Sequence, residues 1–383
     1  MTLTRQTVLR LALAAALAPA LPATTLAQQG DILIGATVPT TGPLSLTGKQ
    51  YLNSLRMAEQ DINAAGGIGG RKIRIVFEDT QASNSTAVNA FMKLAQETKP
   101  AFYFLSSYST QNLAVAPELK KIGVPAMYAG GADVVAEQGN EWMFRIRPAD
   151  SVAARGMVTA ATTILNAKKP GILFIQNDFG QGGANVAAKQ FEAAGTPVVG
   201  MEAYGQNDKD FSAQMLSLRA KGADVLVLFN YPQDGALLLR QAKMLDLKMP
   251  IVTSSAALVP AALQLLSPAD LVNVWGVVDA YMDASVGDRM KDFVERYRKM
   301  FGTDADPYGL AYYDGALIMA EGMRKVGLDP KALRDWIAGL RDWPGIGHVY
   351  GFDAKGNGVR DLAVVKAKPG TKTLELVQTV KVD

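Results

Sequence analysis

From position 31 onward, short apolar runs alternate with longer stretches whose apolar residues recur every three or four positions. Residues 31–38 read DILIGATV and predict a strand. Residues 51–63 place Leu52, Leu55, Ala58 and Ile62 at helical spacing. Strands are then expected over 72–77, 101–105 and 124–128, and helices over 85–98 and 110–121. After Arg145-Ile146-Arg147-Pro148 the pattern restarts. Helices are expected over 151–166, 183–194, 211–221 and 234–244, and strands over 171–175, 197–202, 224–229 and 250–253. Strand then helix, repeated, implies right-handed crossovers and a parallel sheet. Two such runs, each near domain size, predict an α/β protein of two doubly wound lobes. Beyond about 279 the pattern is less regular. A long helix is expected over 307–325, and the tail at 349–382 suggests turns and hairpin strands.

The glycines at positions 66, 67, 69 and 70 follow a helix and precede a strand. A phosphate-binding glycine loop has the opposite order, so turn and helix-stop chemistry accounts for them. The N-terminus carries Arg5 and Arg10, an apolar stretch from Leu11 to Leu21, and small residues ending Thr25-Leu26-Ala27. That order predicts a secretory signal peptide over residues 1–27, cleaved after Ala27, and a periplasmic mature protein.

Composition narrows the chemistry. The 383 residues contain 39 basic and 36 acidic side chains, a balance that gives no reason to expect nucleic acid. There is no cysteine and one histidine, His348. Thiol catalysis is thereby excluded and a zinc site is not expected. No Gly-x-Ser-x-Gly elbow occurs, so a serine hydrolase is not expected either. The reading is of a binding protein, not an enzyme, with no metal and no cofactor.

Open α/β sheets bind ligands beyond the carboxyl ends of their strands. The strand at 101–105 runs into Ser106-Ser107-Tyr108-Ser109-Thr110-Gln111 at a helix start. Helix N-termini carry free N–H groups and partial positive charge, so Ser107, Ser109 and Thr110 are candidates for holding a carboxylate. Plain N-capping by Ser107 or Ser109 explains the same residues. Phe179 and Tyr231 follow strands of the second lobe, where they either face a cleft or pack the lobe edge.

Six stretches carry a family resemblance: IGATVPTTGPLSLTG, AEQDINAAGGIGGRKI, SSYSTQNLAVAPELKKIGVP, QNDFGQGG, DKDFSAQMLSLRAKGADVLVLFNYPQDGALLLRQAKMLDL and YYDGALIMAEGM. In this ordered set the chain resembles the periplasmic binding proteins of branched-chain amino acid ABC transporters, the leucine/isoleucine/valine type. The resemblance implies a type I periplasmic binding protein fold, with two lobes joined by three hinge crossovers. The expected division is lobe 1 over 28–147, lobe 2 over 148–280 and a return to lobe 1 over 281–343. Residues 344–383 form a second return, to lobe 2 and the hinge, and the tail. It also implies a membrane permease as partner and a monomer. The carboxylate role falls on Ser107, with the loop Gly130-Gly131-Ala132 beside it and Thr47 and Tyr108 nearby. The second lobe's aromatic positions fall on Phe179 and Tyr231.

One departure bears on the ligand. Amino-acid binders of this family hold the α-ammonium with an acid near the strand at 250–253, where this chain has Ser255. An ammonium buried without a counter-charge costs several kcal/mol. The expected ligand is therefore a small carboxylate without an ammonium, such as an aromatic acid or 2-oxo acid, unless Asp279 supplies the charge. The alternatives are a standard hydrophobic amino acid binding protein and a periplasmic ligand sensor on the same fold.

Overall fold

The computed structural model describes residues 30–381; the expected signal peptide at 1–27 lies outside them. The first segment runs β1 (Ile32–Val38), α1 (Ser45–Ala64), β2 (Ile73–Asp79), α2 (Asn84–Lys93), β3 (Phe102–Phe104), α3 (Ser109–Ile122), β4 (Ala126–Tyr128), α4 (Asp133–Glu137) and β5 (Met143–Arg145). Its five strands form a parallel sheet in the order β2-β1-β3-β4-β5.

The second segment runs α5 (Asp150–Thr159), β6 (Pro170–Ile175), α6 (Asp178–Ala193), β7 (Gly200–Tyr204), α7 (Ser212–Ala220), β8 (Val225–Phe229), α8 (Pro232–Met244), β9 (Ile251–Ser254), α9 (Pro260–Leu263) and β10 (Val274–Val278). Three helices follow: α10 (Asp288–Phe301), α11 (Pro307–Val326) and α12 (Pro330–Ala338). Then come the short strands β11 (Trp343–Pro344), β12 (Val349–Phe352) and β13 (Gly358–Val359), and the hairpin β14 (Leu362–Ala367) and β15 (Leu374–Val380). The second sheet has the order β15-β14-β10-β9-β8-β6-β7, with the hairpin antiparallel to an otherwise parallel set.

The strand β8, VLVLF, shows why this sheet is covered on both sides. Val225, Val227 and Phe229 join one apolar cluster with Met157, Ile172, Phe174 and Phe191. The intervening Leu226 and Leu228 join the other, with Leu173, Leu238 and Leu239. Side chains alternate along a strand, so a continuous apolar run requires helices on both faces.

The chain passes between the two sheets three times, at residues 146–149, 279–287 and 360–361. After the second passage α11 packs against α1 on the first sheet. Phe352 packs edge-on to Phe144 at 5.4 Å, holding the β12 region there as well. The structure is thus an α/β protein with parallel-sheet lobes, as expected.

Local differences from the sequence reading have physical causes. Helix α6 begins at Asp178, five residues before the expected start, because the Asn177 side chain caps it by accepting from the Gly180 N–H. Gly180 is required there: a Cβ would sit 2.0 Å from the Ile175 carbonyl oxygen. Strand β7 runs from Gly200 to Tyr204, later than expected, in register with β6. The 66–70 glycines all have positive φ and form the turn after α1. His348 is packed edge-on to Tyr350, and burial, with Arg360 adding to it, lowers its pKa to about 3.

Asp306 caps α11, accepting from the Gly309 N–H, and is fully buried. Burial raises its pKa to about 7, against the pull of that hydrogen bond. The folded state therefore keeps a proton that the unfolded chain releases near pH 4, and stability falls as pH rises from about 4 to about 7. Asp306→Asn retains the capping oxygen and removes the charge. Denaturation midpoints across pH 4–8 are expected to slope less steeply in the variant, with its largest relative gain above pH 7. An unchanged slope would assign the proton elsewhere.

Candidate functional site

The carboxyl ends of both sheets converge on one cleft. Ser107, Tyr108 and Ser109 come from the β3–α3 junction, and Ala129 and Gly131 from the loop after β4. The far wall is Phe179 in the first turn of α6, with Asn230 and Tyr231 between β8 and α8, Pro232 at the start of α8, and Ala256 after β9. Tyr51 of α1, Tyr308 of α11 and Arg147 of the first passage close the ends. The space left between these walls is small, about 30 Å³.

Aromatic rings fill the rest. Tyr231 stacks on Phe179 at 5.3 Å and 13°. Tyr108, from the other lobe, meets Tyr231 edge-on at 5.0 Å and 80°. On the outer side of that pair is a groove of about 430 Å³, bordered by Thr110, Gln111, Asn177 and again Tyr108 and Tyr231. These two tyrosines therefore stand between the groove and the inner cavity. Asn177 Nδ2 donates to the Tyr231 phenol at 3.2 Å, and Asn230 Nδ2 to the Tyr231 carbonyl at 2.9 Å. The Tyr108 phenol is buried with the Thr47 hydroxyl beside it, and burial pushes its pKa up.

The serines do not cap α3, whose N-cap is Tyr108 with no side-chain capping bond. Ser109 Oγ accepts from the Ala132 N–H at 3.0 Å, tying the β3 end to the loop after β4. Ser106 Oγ accepts from the Tyr108 N–H. The Ser107 hydroxyl lies beside the Tyr51 phenol. Gly130 sits behind the cavity wall, where a Cβ would meet Asn112 Oδ1 at 2.4 Å and the Ser109 backbone at 3.0 Å. Ala132 gives its carbonyl to Arg145 Nη2. Thr47 is fully buried, its hydroxyl beside the Tyr108 phenol.

Arg147 and Asp279, on different passages between the lobes, form a forked ion pair. Arg147 Nε donates to Asp279 Oδ2 at 2.6 Å and Nη2 to Oδ1 at 3.2 Å. The Asp279 N–H donates to Ser255 Oγ at 3.0 Å, and Ser255 Oγ donates back to Oδ1 at 3.4 Å. Arg360, on the third passage, brings Nη2 within 3.8 Å of Asp279 Oδ2. Burial alone would lower the Arg147 pKa, but Asp279 outweighs it and holds the guanidinium charged. Asp279 is thus committed to a protein cation.

Six of the expected residues line the inner cavity: Ser107, Tyr108, Ser109, Gly131, Phe179 and Tyr231. Thr110 borders the groove, while Gly130, Ala132, Ser255, Thr47 and Asp279 lie behind the walls. Sequence reasoning missed Tyr51, Arg147, Asn230 and Tyr308. Asn230 and Tyr231 are adjacent at the same strand end, so strand-end reasoning was enough to find Asn230. A larger cavity, about 860 Å³, lies away from the cleft around His348, Tyr350 and Arg360 and shares no lining residue with it. The convergence of strand ends marks the smaller one as the candidate site. Among the described residues no cluster of His, Cys, Asp or Glu could hold a metal.

The periplasmic binding protein family model matches residues 31–372. The chain is similar to Leu/Ile/Val-binding protein homolog 7 of Brucella abortus, 27% identical over 345 residues, 84% of this chain and 85% of the relative. A leucine binding protein from Thermotoga maritima superposes with a TM-score of 0.83 at 21% identity, over 91% of this chain and 99% of the other. An ABC transporter solute binding protein from Rhodopseudomonas palustris, solved with 3,4-dihydroxybenzoic acid, gives 0.83 at 19% identity, over 92% and 98%. On the fold, the convergent strand ends and a match over most of its length, the chain belongs to the periplasmic binding protein family.

Proposed function

We propose that the protein is the extracytoplasmic solute-binding component of an ABC importer, taking a small carboxylate that lacks an α-ammonium, such as an aromatic acid or 2-oxo acid. It captures the solute between two closing lobes, delivers it to a membrane permease and performs no chemistry on it. The observation that carries the ligand class is the commitment of Asp279 to Arg147, together with Ser255 where an acid would receive an ammonium. Tyr51, Tyr108, Phe179, Tyr231 and Tyr308 offer flat apolar faces suited to a ring. The relative solved with 3,4-dihydroxybenzoic acid is in keeping with this. The naming of the Brucella relative favours a branched-chain amino acid instead.

A thermal-shift screen of the mature protein over benzoates, phenylpropenoids, 2-oxo acids and the twenty amino acids separates the two. Stabilisation by carboxylates lacking an amine is expected; stabilisation by leucine alone would overturn the ligand class. Charge-assisted hydrogen bonds contribute roughly 1.5–3 kcal/mol each. Ser107→Ala is therefore expected to weaken the winning carboxylate about tenfold or more by calorimetry. Unchanged affinity would remove Ser107 from the anion's neighbours.

A further inference from the structure

We propose that Arg147, admitted to the cleft by Gly131, is the specificity-determining residue, adding a full positive charge at the anion end. This rests on the carboxylate reading above and names the group that enforces it.

Four observations point to it. First, Arg147 lines the inner cavity together with Gly131, Ser107 and Ser109, the residues expected to surround a carboxylate. Second, its guanidinium has spare donors. Of its five N–H groups, Nε and Nη2 each give one to Asp279, and Nη1 makes one long contact, 3.4 Å, to Asp150 Oδ1. Its plane is held over the Tyr308 ring at 5.2 Å.

Third, Gly131 is what lets it approach. A Cβ at 131 would lie 2.5 Å from Arg147 Nη1 and 1.9 Å from Asp150 Oδ1. The φ of Gly131 is not positive, so the glycine serves close approach and not backbone conformation. Any side chain there would displace the Asp150 carboxylate first and crowd the guanidinium beside it.

Fourth, the cavity wall itself carries a cation and no carboxylate. Arg145, Arg147 and Arg360 are buried together with Asp150, Asp279, Asp306 and Asp314, but of these only Arg147 lines the cavity. Arg145 spends its guanidinium on the Gly131 and Ala132 carbonyls and the Tyr128 phenol. Arg147 and Arg360 share Asp279. Burial raises the Asp150 pKa to about 6, and the half-buried Asp133 is engaged by Ser151. A ligand of charge −1 in the cavity meets the Arg147 guanidinium and no lining carboxylate. A zwitterion brings an ammonium toward Arg147 and meets repulsion.

The test is calorimetry of the mature protein with benzoate, benzamide and leucine. Arg147→Gln with Asp279→Asn keeps the hinge pair neutral and hydrogen-bonded; Gly131→Ala keeps every charged group but crowds the Asp150 carboxylate and the Arg147 guanidinium away from the cavity wall. In both proteins the benzoate Kd is expected to rise about thirtyfold, the loss of one charge-assisted contact. The neutral benzamide should change less than about threefold, a separation that a merely structural role would not produce. If either folded variant holds benzoate within about threefold of the parent, or loses benzamide equally, the assignment of Arg147 falls. Should the double variant fail to fold, Gly131→Ala decides. A parent protein that binds leucine and no simple carboxylate would overturn the carboxylate reading itself; a parent that binds benzoate, with variants that keep it, overturns only the role of Arg147.

Discussion

Asp279→Ala is expected to destabilise the folded chain by about 3–5 kcal/mol, among the largest effects of any single substitution here. The cause is not the loss of a favourable pair as such. Desolvating two ions consumes most of their mutual attraction, so a buried pair contributes little net. Removing one member leaves the other buried and uncompensated. Arg147 would keep its place over the Tyr308 ring and its 3.4 Å contact to Asp150, whose own carboxyl takes a proton near pH 6. Arg360 would lose its 3.8 Å neighbour as well. Urea unfolding followed by circular dichroism measures the loss. Replacing the pair together, Arg147→Met with Asp279→Leu, should recover most of it, because apolar packing substitutes for buried ions without a charge left over. A loss below about 1 kcal/mol for Asp279→Ala would mean that water reaches the hinge and screens Arg147.

The second large effect is expected at Tyr231. Its ring is 9% exposed, stacked on Phe179 and met edge-on by Tyr108. Truncation to alanine removes the face against which a ligand ring would lie. The expected loss is about 2 kcal/mol, or about thirtyfold in affinity. Benzoate and benzamide should lose equally, since the ring contact does not depend on ligand charge. Calorimetry with both probes reads this directly. Unaltered binding of both would place the solute on the outer side of the tyrosine pair, in the groove with Thr110 and Gln111.

Much of this architecture was legible in the chain. A fully apolar strand such as VLVLF demands two covering layers, and strand-helix alternation then dictates a parallel sheet. Strand ends could be located to within a few residues, so Ser107, Phe179 and Tyr231 could be named. What sequence could not supply was contact between remote segments. Arg147 reads as a charged residue before a proline at a lobe boundary. It is a buried cleft residue because Asp279 lies 132 positions later, on another passage. Tyr308 reads as the first turn of a helix, and its place in the cleft follows from α11 returning to pack on α1. Strand β10 (Val274–Val278) was not read from the sequence, for a local reason. Strand β10 carries a glycine at 276, into which Leu258 packs so closely that a Cβ would lie 2.2 Å from its Cδ1, and a short strand interrupted this way gives little periodic signal.

On the proposed reading, the Tyr108–Tyr231 contact also sets how strongly a solute is held. One ring belongs to each lobe, so any incoming molecule competes with the protein's grip on itself. An edge-to-face pair contributes about 0.5–1.5 kcal/mol beyond its buried area. The fraction of molecules ready to receive a guest falls accordingly, and the observed dissociation constant exceeds the intrinsic one by roughly twofold to tenfold.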